Sequence, residues 1–539
     1  MDLDALIAAC TDGASPTRVR RRRGSVEIEA RGRSFEAPLA VRGIGRVGGA
    51  RLRAQLELNE AITPELERRL WRLESAGADA PRLRETSRDP GAFELEAEAL
   101  VVESPALPAR ASFEALLAER RIQRPELWTL AEFLATLPRP QGDAPTSRAL
   151  GARVPTAAAL GAALEDAVET LSSALSRAPS TSATRDLRER LRALILANDA
   201  EGLGLAEAQP AAAGLSLGDL RLADLFCLDA LAPTGELAPE LARLGRARQW
   251  VFVDRLDAPD HPRWLDPLAD LGALVVQLDQ LGDFTCAEHL VPDFVAALQP
   301  QRRGRSTRRD DSASVASRRS RLDIYAGLHA MHRALEHELG GPELDQWLRL
   351  ALSRLAMPAQ RPGLVLVSGL PGVGKSVLAR GLRETAEFAW IWGDELAKRL
   401  GQDPDSAALY DACLTRAGEI CSGGGRALVD AGFVTDVQRQ RFIEAAHSWG
   451  VPVLLLVVDV PPAVARERLI TQLRERAPEA RQTQLEAELE RAWSAHVAAR
   501  RAWVPVDVHA CRSATLDGSG DVRSLLAQAS WALTNAGML

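Results

Sequence analysis

From Gly363 onward, short runs of consecutive apolar residues alternate with stretches whose apolar positions recur every three or four residues. Unbroken apolar runs suit strands buried on both faces, and the amphipathic stretches between them suit covering helices. The pattern therefore predicts a parallel sheet with helices on both sides. The first strand is expected at Leu364–Val367, with a helix starting near Lys375. The second is expected at Phe388–Trp392, the third at Ala427–Asp430 after a helix stop at Gly423-Gly424-Gly425, and the fourth at Val453–Asp459. Pro461-Pro462 then opens another helix, because proline is tolerated where the backbone N–H has no helical partner. Earlier in the chain, polar stretches divide the sequence. Gln301–Arg321 is basic, serine-rich and without an apolar period, which reads as a solvated connector or loop. Pro138–Ser147 and Pro179–Thr184 read as further loops, and a chain of 539 residues is expected to hold two or three domains.

Composition narrows the function classes. The chain is 46% hydrophobic and 26% charged with a formal net charge of -7, as in globular proteins and unlike a nucleic-acid coat. An arginine run at 18–23 reads as a solvated N-terminal arm in so acidic a chain. Cys10, Cys227, Cys286, Cys413, Cys421 and Cys511 lack CxxC spacing and histidine neighbours, which points to reduced thiols in a cytoplasm. The acidic start MDLDALIAACTDG does not suit a signal peptide. No run reaches the roughly 18 apolar residues of a membrane helix, the longest, Val451–Val458, being strand-sized.

Gly369-Leu370-Pro371-Gly372-Val373-Gly374-Lys375-Ser376 fits G-x-x-x-x-G-K-[ST] between a strand and a helix, the setting that this phosphate-binding loop requires. Its glycines let the backbone wrap phosphate oxygens, and its N–H groups together with the helix N-terminus, continuing through Val377, supply partial positive charge. Lys375 is placed to reach the β- and γ-phosphates of ATP and the Ser376 hydroxyl to ligate Mg²⁺. Of 66 basic residues only Lys375 and Lys398 are lysines. Where arginine serves everywhere else, a surviving lysine marks a place that needs a slender ammonium.

Asp430, ending the third strand, is a candidate to position magnesium through water, or else a cap of the following turn. Asp394, in Trp392-Gly393-Asp394-Glu395, should project from the same sheet edge as the phosphate loop. There it can accept the proton of an attacking hydroxyl, with Lys398 and Arg399 one helical turn on to hold the acceptor. The alternative is a helix cap with an Asp394–Lys398 ion pair. Arg466, Arg468, Arg474 and Arg476 follow the fourth strand, where they could close over phosphates as a lid or remain solvated helix charges.

Together GLPGVGKS, WGDELAKRL, VDAGFVTDVQRQRF and VPVLLLVVDVPPAVARERL resemble the P-loop kinases labelled AAA domain 33, related to zeta-toxin and polynucleotide 5′-hydroxyl kinases. The resemblance implies that Asp394 is the general base. The further arginine it would place just after ARERL is Gln472 here, leaving Arg474 and Arg476 as candidates. The preceding part resembles a degenerate aminoglycoside phosphotransferase, a protein-kinase-like α+β fold. Leu215–Asp224 resembles its catalytic loop (Asp219), Trp250–Asp254 its metal-binding strand, and Asp266–Leu271 the helix that follows. No lysine precedes Lys375, and Ser34-Phe35-Glu36-Ala37 offers an acid where a nucleotide lysine would stand, so this copy is expected to lack ATP phosphotransfer.

The expected architecture is an α/β P-loop NTPase at 355–539, preceded by the degenerate kinase-like domain at 1–335, with a basic polar linker at 301–321. The expected reaction moves the γ-phosphate of ATP, with Mg²⁺, to a hydroxyl of a small molecule or polymer end. Nucleic acid is not favoured as a partner, and no membrane is involved. A regulatory nucleotide-binding ATPase is the other reading.

Overall fold

In the computed structural model the described residues are short segments between 15 and 105, then 107–176, 182–197, 214–218, 220–228, 249–252, 263–298, 308–337 and 341–539 without 405, 477–481 and 508–509. The chain divides into two compact units. One is built from Met1–Ala163, Ala200–Gln277 and Glu288–Tyr325, the other from Leu164–Asp199, Leu278–Ala287 and Ala326–Leu539.

In the second unit the apolar runs become the central strands of a five-stranded sheet. The strands are β1 (Gly363–Ser368), β2 (Ala389–Trp392), β3 (Arg426–Asp430), β4 (Val453–Asp459) and β5 (Arg512–Asp517). Their order is β2-β3-β1-β4-β5, and every pairing is parallel. Helices α1 (Lys375–Ala386), α2 (Gly393–Leu400), α3 (Ala407–Ser422), α4 (Asp436–Trp449), α5 (Pro462–Arg476), α6 (Gln482–Ala502) and α7 (Val522–Asn535) complete the fold.

Strand alternation distributes β1 between two cores. Leu364 and Leu366 pack with Ala397, Cys413 and Phe442 of α2, α3 and α4, whereas Val365 and Val367 pack with Leu378, Ala465 and Leu533 of α1, α5 and α7. A strand buried on both faces has no position for a polar residue, which is why β1 reads as an unbroken apolar run. The four expected strands and both helix starts are found within about two residues, the ordinary uncertainty of element ends. The fifth strand, β5, was not expected.

In the first unit, Arg18–Arg21, Ser25–Ala30, Arg33–Pro38, Leu100–Pro105 and Arg69–Arg72 form an antiparallel sheet in that order. The arginines at 18–21 are therefore a strand, not an arm. Arg18 stands opposite Glu29 and pairs with it at 3.5 Å, and such cross-strand opposite charges favour the pairing. A second correction concerns the polar connector, since residues 308–321 form the first half of the helix Arg308–Ala334. The half from Leu322 to Ala334 is rich in buried apolar residues. Once that half is fixed by packing, Arg, Ala and Ser extend the helix at small cost. Helix also begins at Ser182 inside the stretch expected to be a loop, where Thr184 is buried and donates to Asp345 at 2.7 Å. No helix of the described residues is long and apolar enough to cross a membrane.

Candidate nucleotide and phosphoryl-transfer site

The loop between β1 and α1 requires glycine at three places. Gly369, Gly372 and Gly374 have φ of 144°, 84° and 108°, values that a side chain disfavours. A Cβ at Gly369 would lie 2.5 Å from the Val458 carbonyl oxygen, and one at Gly372 would lie 2.9 Å from that of Ala465. Gly374 is the left-handed residue from which α1 starts, so the helix's first N–H groups open toward the loop. Val373 is buried, Pro371 and Ser376 are half-buried, and Val377 is exposed on the first turn of α1. Lys375 donates from Nζ to the Leu370 carbonyl at 3.0 Å, folding its ammonium back over the loop.

One arginine braces this loop from outside. Arg468 of α5 donates to the Val373 carbonyl at 2.9 Å and to that of Gly518 at 2.5 Å, tying the loop to the turn after β5. Arg468 is thus a structural clamp instead of a free lid arginine. Its neighbour Arg466 lies 5.9 Å over the Trp493 ring. Arg474 is exposed near the end of α5 and makes no hydrogen bond or ion pair among the described residues. Arg476 is the last residue of that helix.

The acidic side of the site is assembled by backbone proximity. Gly369 N–H donates to the Gly432 carbonyl at 3.3 Å and Ser368 Oγ to the same oxygen at 3.1 Å, which fastens the turn after β3 to the phosphate loop. Phe433 holds a left-handed φ of 48° in that turn, and the buried Tyr410 hydroxyl accepts its N–H at 3.0 Å. Such backbone strain persists only where its surroundings over-determine it, and here three rings, Tyr410, Phe433 and Phe442, pack edge to face. On the other flank, a Cβ at Gly393 would lie 2.8 Å from the Asp430 carbonyl. The start of α2 therefore abuts the end of β3, bringing Asp394 beside Asp430.

These two carboxylates differ in setting. Asp430 is buried, and burial pushes its carboxyl up to about 6 against the pull of the Lys375 ammonium and the Ser376 hydroxyl, with Asp394 adding to the rise. Its Oδ2 is buried without a hydrogen-bond partner. An orphaned carboxylate oxygen next to the Ser376 hydroxyl and a phosphate cradle fits a hydrated Mg²⁺, for which Ser376 and Asp430 are the residues at hand. Asp394 and Lys398, by contrast, are exposed and lack side-chain partners among the described residues. The i,i+4 ion pair on α2 forms between Glu395 and Arg399 at 3.2 Å instead. Arg399 is accordingly engaged on an exposed face, while Asp394 and Lys398 stay available.

The raised Asp430 carboxyl has a measurable consequence. Because its folded value of about 6 exceeds the ordinary 3.8, the group favours the folded state below about pH 4, and this contribution is lost as pH rises through 6. Without magnesium, Asp430→Asn is expected to be level with wild type near pH 4 and more stable by up to ~3 kcal/mol at pH 8. Urea denaturation in EDTA at the two pH values measures this, and a gap that does not widen with pH refutes it.

In the first unit, the loop expected to resemble a catalytic loop is held by buried charge. Asp270 accepts the Leu217 N–H at 2.8 and 3.1 Å and pairs with Arg139 at 3.1 Å, while Asp266 pairs with Arg321 at 3.1 Å. Asp224 is buried in a short 3-10 turn, and Asp219 and Asp254 lie outside the described residues.

Residues that the sequence did not single out include His496, whose ring meets the Pro371 carbonyl, and Tyr410. Neither sits in a motif, and only the folded chain brings His496 to the phosphate loop and Tyr410 to the turn after β3.

Comparison with known proteins gives partial matches. Curated relatives include uncharacterized proteins of Mycobacterium tuberculosis (strain H37Rv) and Mycobacterium bovis. Each is 30% identical over 155 residues, covering 28% of this chain and 28% of the relative. The matched stretch therefore spans little more than a quarter of those relatives. Among solved structures, similar chains include a gluconokinase from Sinorhizobium meliloti 1021, at 18% identity and a TM-score of 0.24 over 32% of this chain and 93% of that one. A sugar kinase from Janibacter sp. HTCC2649 aligns at 16% identity and a TM-score of 0.25 over 32% of this chain and 94% of that one. Residues 364–495 match the family model described as an AAA domain. Over that stretch the chain is similar to AAA domains, in keeping with the parallel sheet and the glycine cradle of a P-loop fold.

Proposed function

We propose that the C-terminal domain transfers the γ-phosphate of ATP to a hydroxyl of an acceptor, a small molecule or a polymer end. The observation that carries this reading is that Asp394, exposed and without a side-chain partner among the described residues, lies near the buried Asp430 beside the phosphate loop. A structural cap or surface ion pair would leave Asp394 bonded, and the helix spends its ion pair on Glu395 and Arg399 instead.

In this mechanism the loop N–H groups and Lys375 hold the β- and γ-phosphates. Mg²⁺, when bound near Ser376 and Asp430, supplies charge neutralisation at the phosphate oxygens. The acceptor oxygen attacks the γ-phosphorus, its proton passes to the Asp394 carboxylate, and the bond from the γ-phosphorus to the bridging oxygen breaks to release ADP. Lys398 steadies an anionic acceptor, with Arg399 able to join it by leaving Glu395. Arg474 and Arg476 stabilise the charge on the moving phosphoryl group.

The N-terminal unit serves, in the same proposal, as a degenerate kinase-like scaffold without phosphotransfer of its own. The absence of any lysine before Lys375 and the devotion of Asp270 to the 217 backbone support this. Incubating the protein with γ-labelled ATP and a panel of hydroxyl acceptors tests the reading. Label is expected on an acceptor at a rate above that of ATP hydrolysis in its absence. Label found only in inorganic phosphate across sugars, nucleosides and nucleic-acid ends would count against it.

A further inference from the structure

Helix α6 spans 21 residues, of which His496 alone is buried among those described. At 1% exposure, its imidazole is far less accessible than a surface helix requires, and the ring faces the phosphate loop. His496 Nδ1 lies 2.8 Å from the Pro371 carbonyl oxygen. A carbonyl only accepts, so Nδ1 carries the proton and donates, which leaves the lone pair on Nε2 in the neutral ring. Nε2 is buried without a hydrogen-bond partner, so the bond to Pro371 is the polar contact that orients the ring.

A stack extends outward from this point. Trp493 lies one turn earlier on α6 with its ring 4.7 Å from that of His496 and 9° from parallel, and the Arg466 guanidinium of α5 lies 5.9 Å from the centre of the Trp493 ring. Arginine on an indole face is attractive, and the parallel rings add a stacking contact. The order Arg466, Trp493, His496, Pro371 thus joins α5 and α6 to the loop.

Backbone geometry gives that chain a purpose. In a phosphate loop the N–H groups must converge inward, which turns the intervening carbonyls outward. Outward carbonyls left free would let the peptide planes rotate and spoil the cradle. Arg468 restrains the Val373 carbonyl, and His496 restrains that of Pro371, so consecutive stretches of the loop are held from two helices.

Resting on the nucleotide-binding reading above, we infer that His496 is a positioning residue for the phosphate cradle, presetting the loop through Pro371 and linking nucleotide occupancy to the seating of α6. The role needs a donor at the place of Nδ1, which discriminates between two similar amides. Asn carries its amide nitrogen where Nδ1 stands, whereas Gln carries it near Nε2. In calorimetry of the full chain with Mg·ATP and Mg·ADP, His496→Asn is expected to bind within about threefold of wild type. His496→Gln is expected to bind about 10-fold more weakly, the worth of one buried hydrogen bond. Thermal midpoints of the two variants are expected to be alike, since both remove the same ring. Equal affinities for the Asn and Gln variants, or a loss that follows the thermal midpoint, would overturn the inference. Failure of the wild-type protein to bind Mg·ATP would instead remove the nucleotide-binding reading itself, so the two outcomes are distinct.

Discussion

Lys375→Ala is expected to lower kcat/KM for phosphoryl transfer by about 1000-fold or more. The ammonium is the mobile cation of a cradle otherwise made of backbone dipoles, and the other lysine stands on α2. In the structure Nζ rests on the Leu370 carbonyl, a bond that phosphate oxygens would replace with a stronger, charge-assisted one. Arginine is not expected to rescue the loss, because a planar guanidinium does not fit where a compact ammonium folds back over a glycine loop. Lys375→Arg should therefore resemble Lys375→Ala in steady-state kinetics. The fold is expected to survive in both, since Lys375 is half-buried and stands outside the two apolar clusters of the sheet. Unchanged kinetics in either variant, with circular dichroism confirming native structure, would remove the phosphate loop from the reaction.

Asp394→Asn is expected to reduce kcat by about 100- to 10,000-fold while leaving the affinity for Mg·ATP within about twofold. The amide is nearly isosteric but cannot accept the acceptor's proton, so the loss belongs to chemistry and not to binding. Because Asp394 is exposed and bonded to no side chain among the described residues, the substitution disturbs little structure. One side effect is predictable. Asp394 adds to the upward push on Asp430, so removing its charge brings the Asp430 carboxyl down. Slow hydrolysis that needs no acceptor and ignores Asp394→Asn would favour a regulatory nucleotide-binding role over transfer.

What could be read from residues alone follows a physical rule. Gly369, Gly372 and Gly374 were legible because their backbone angles admit little else, and β1, β3 and β4 because strands covered on both faces must be apolar throughout. The sheet-edge positions of Asp430 and Asp394 were legible because the first ends β3 and the second lies two residues after β2. By contrast β5, RSATLD, lies at the sheet's end, where most of its side chains are partly exposed and no apolar run is needed. The helical state of residues 308–321 was hidden because it is inherited from the apolar half that follows. Roles carried by one bond across a long sequence separation, such as His496 to Pro371 or Arg468 to Val373, leave no local pattern. The second unit's inclusion of Leu164–Asp199 is equally a product of tertiary packing.

The near-elimination of lysine gives the domain an unusual chemical profile. Acylating reagents that seek ε-amines meet only Lys375, half-buried in its loop, and Lys398, exposed on α2. On the reading proposed above, one of these amines stands on the donor's side of the travelling phosphoryl group and the other on the recipient's. A footprint of two peptides would then report separately which half of the reaction centre is filled.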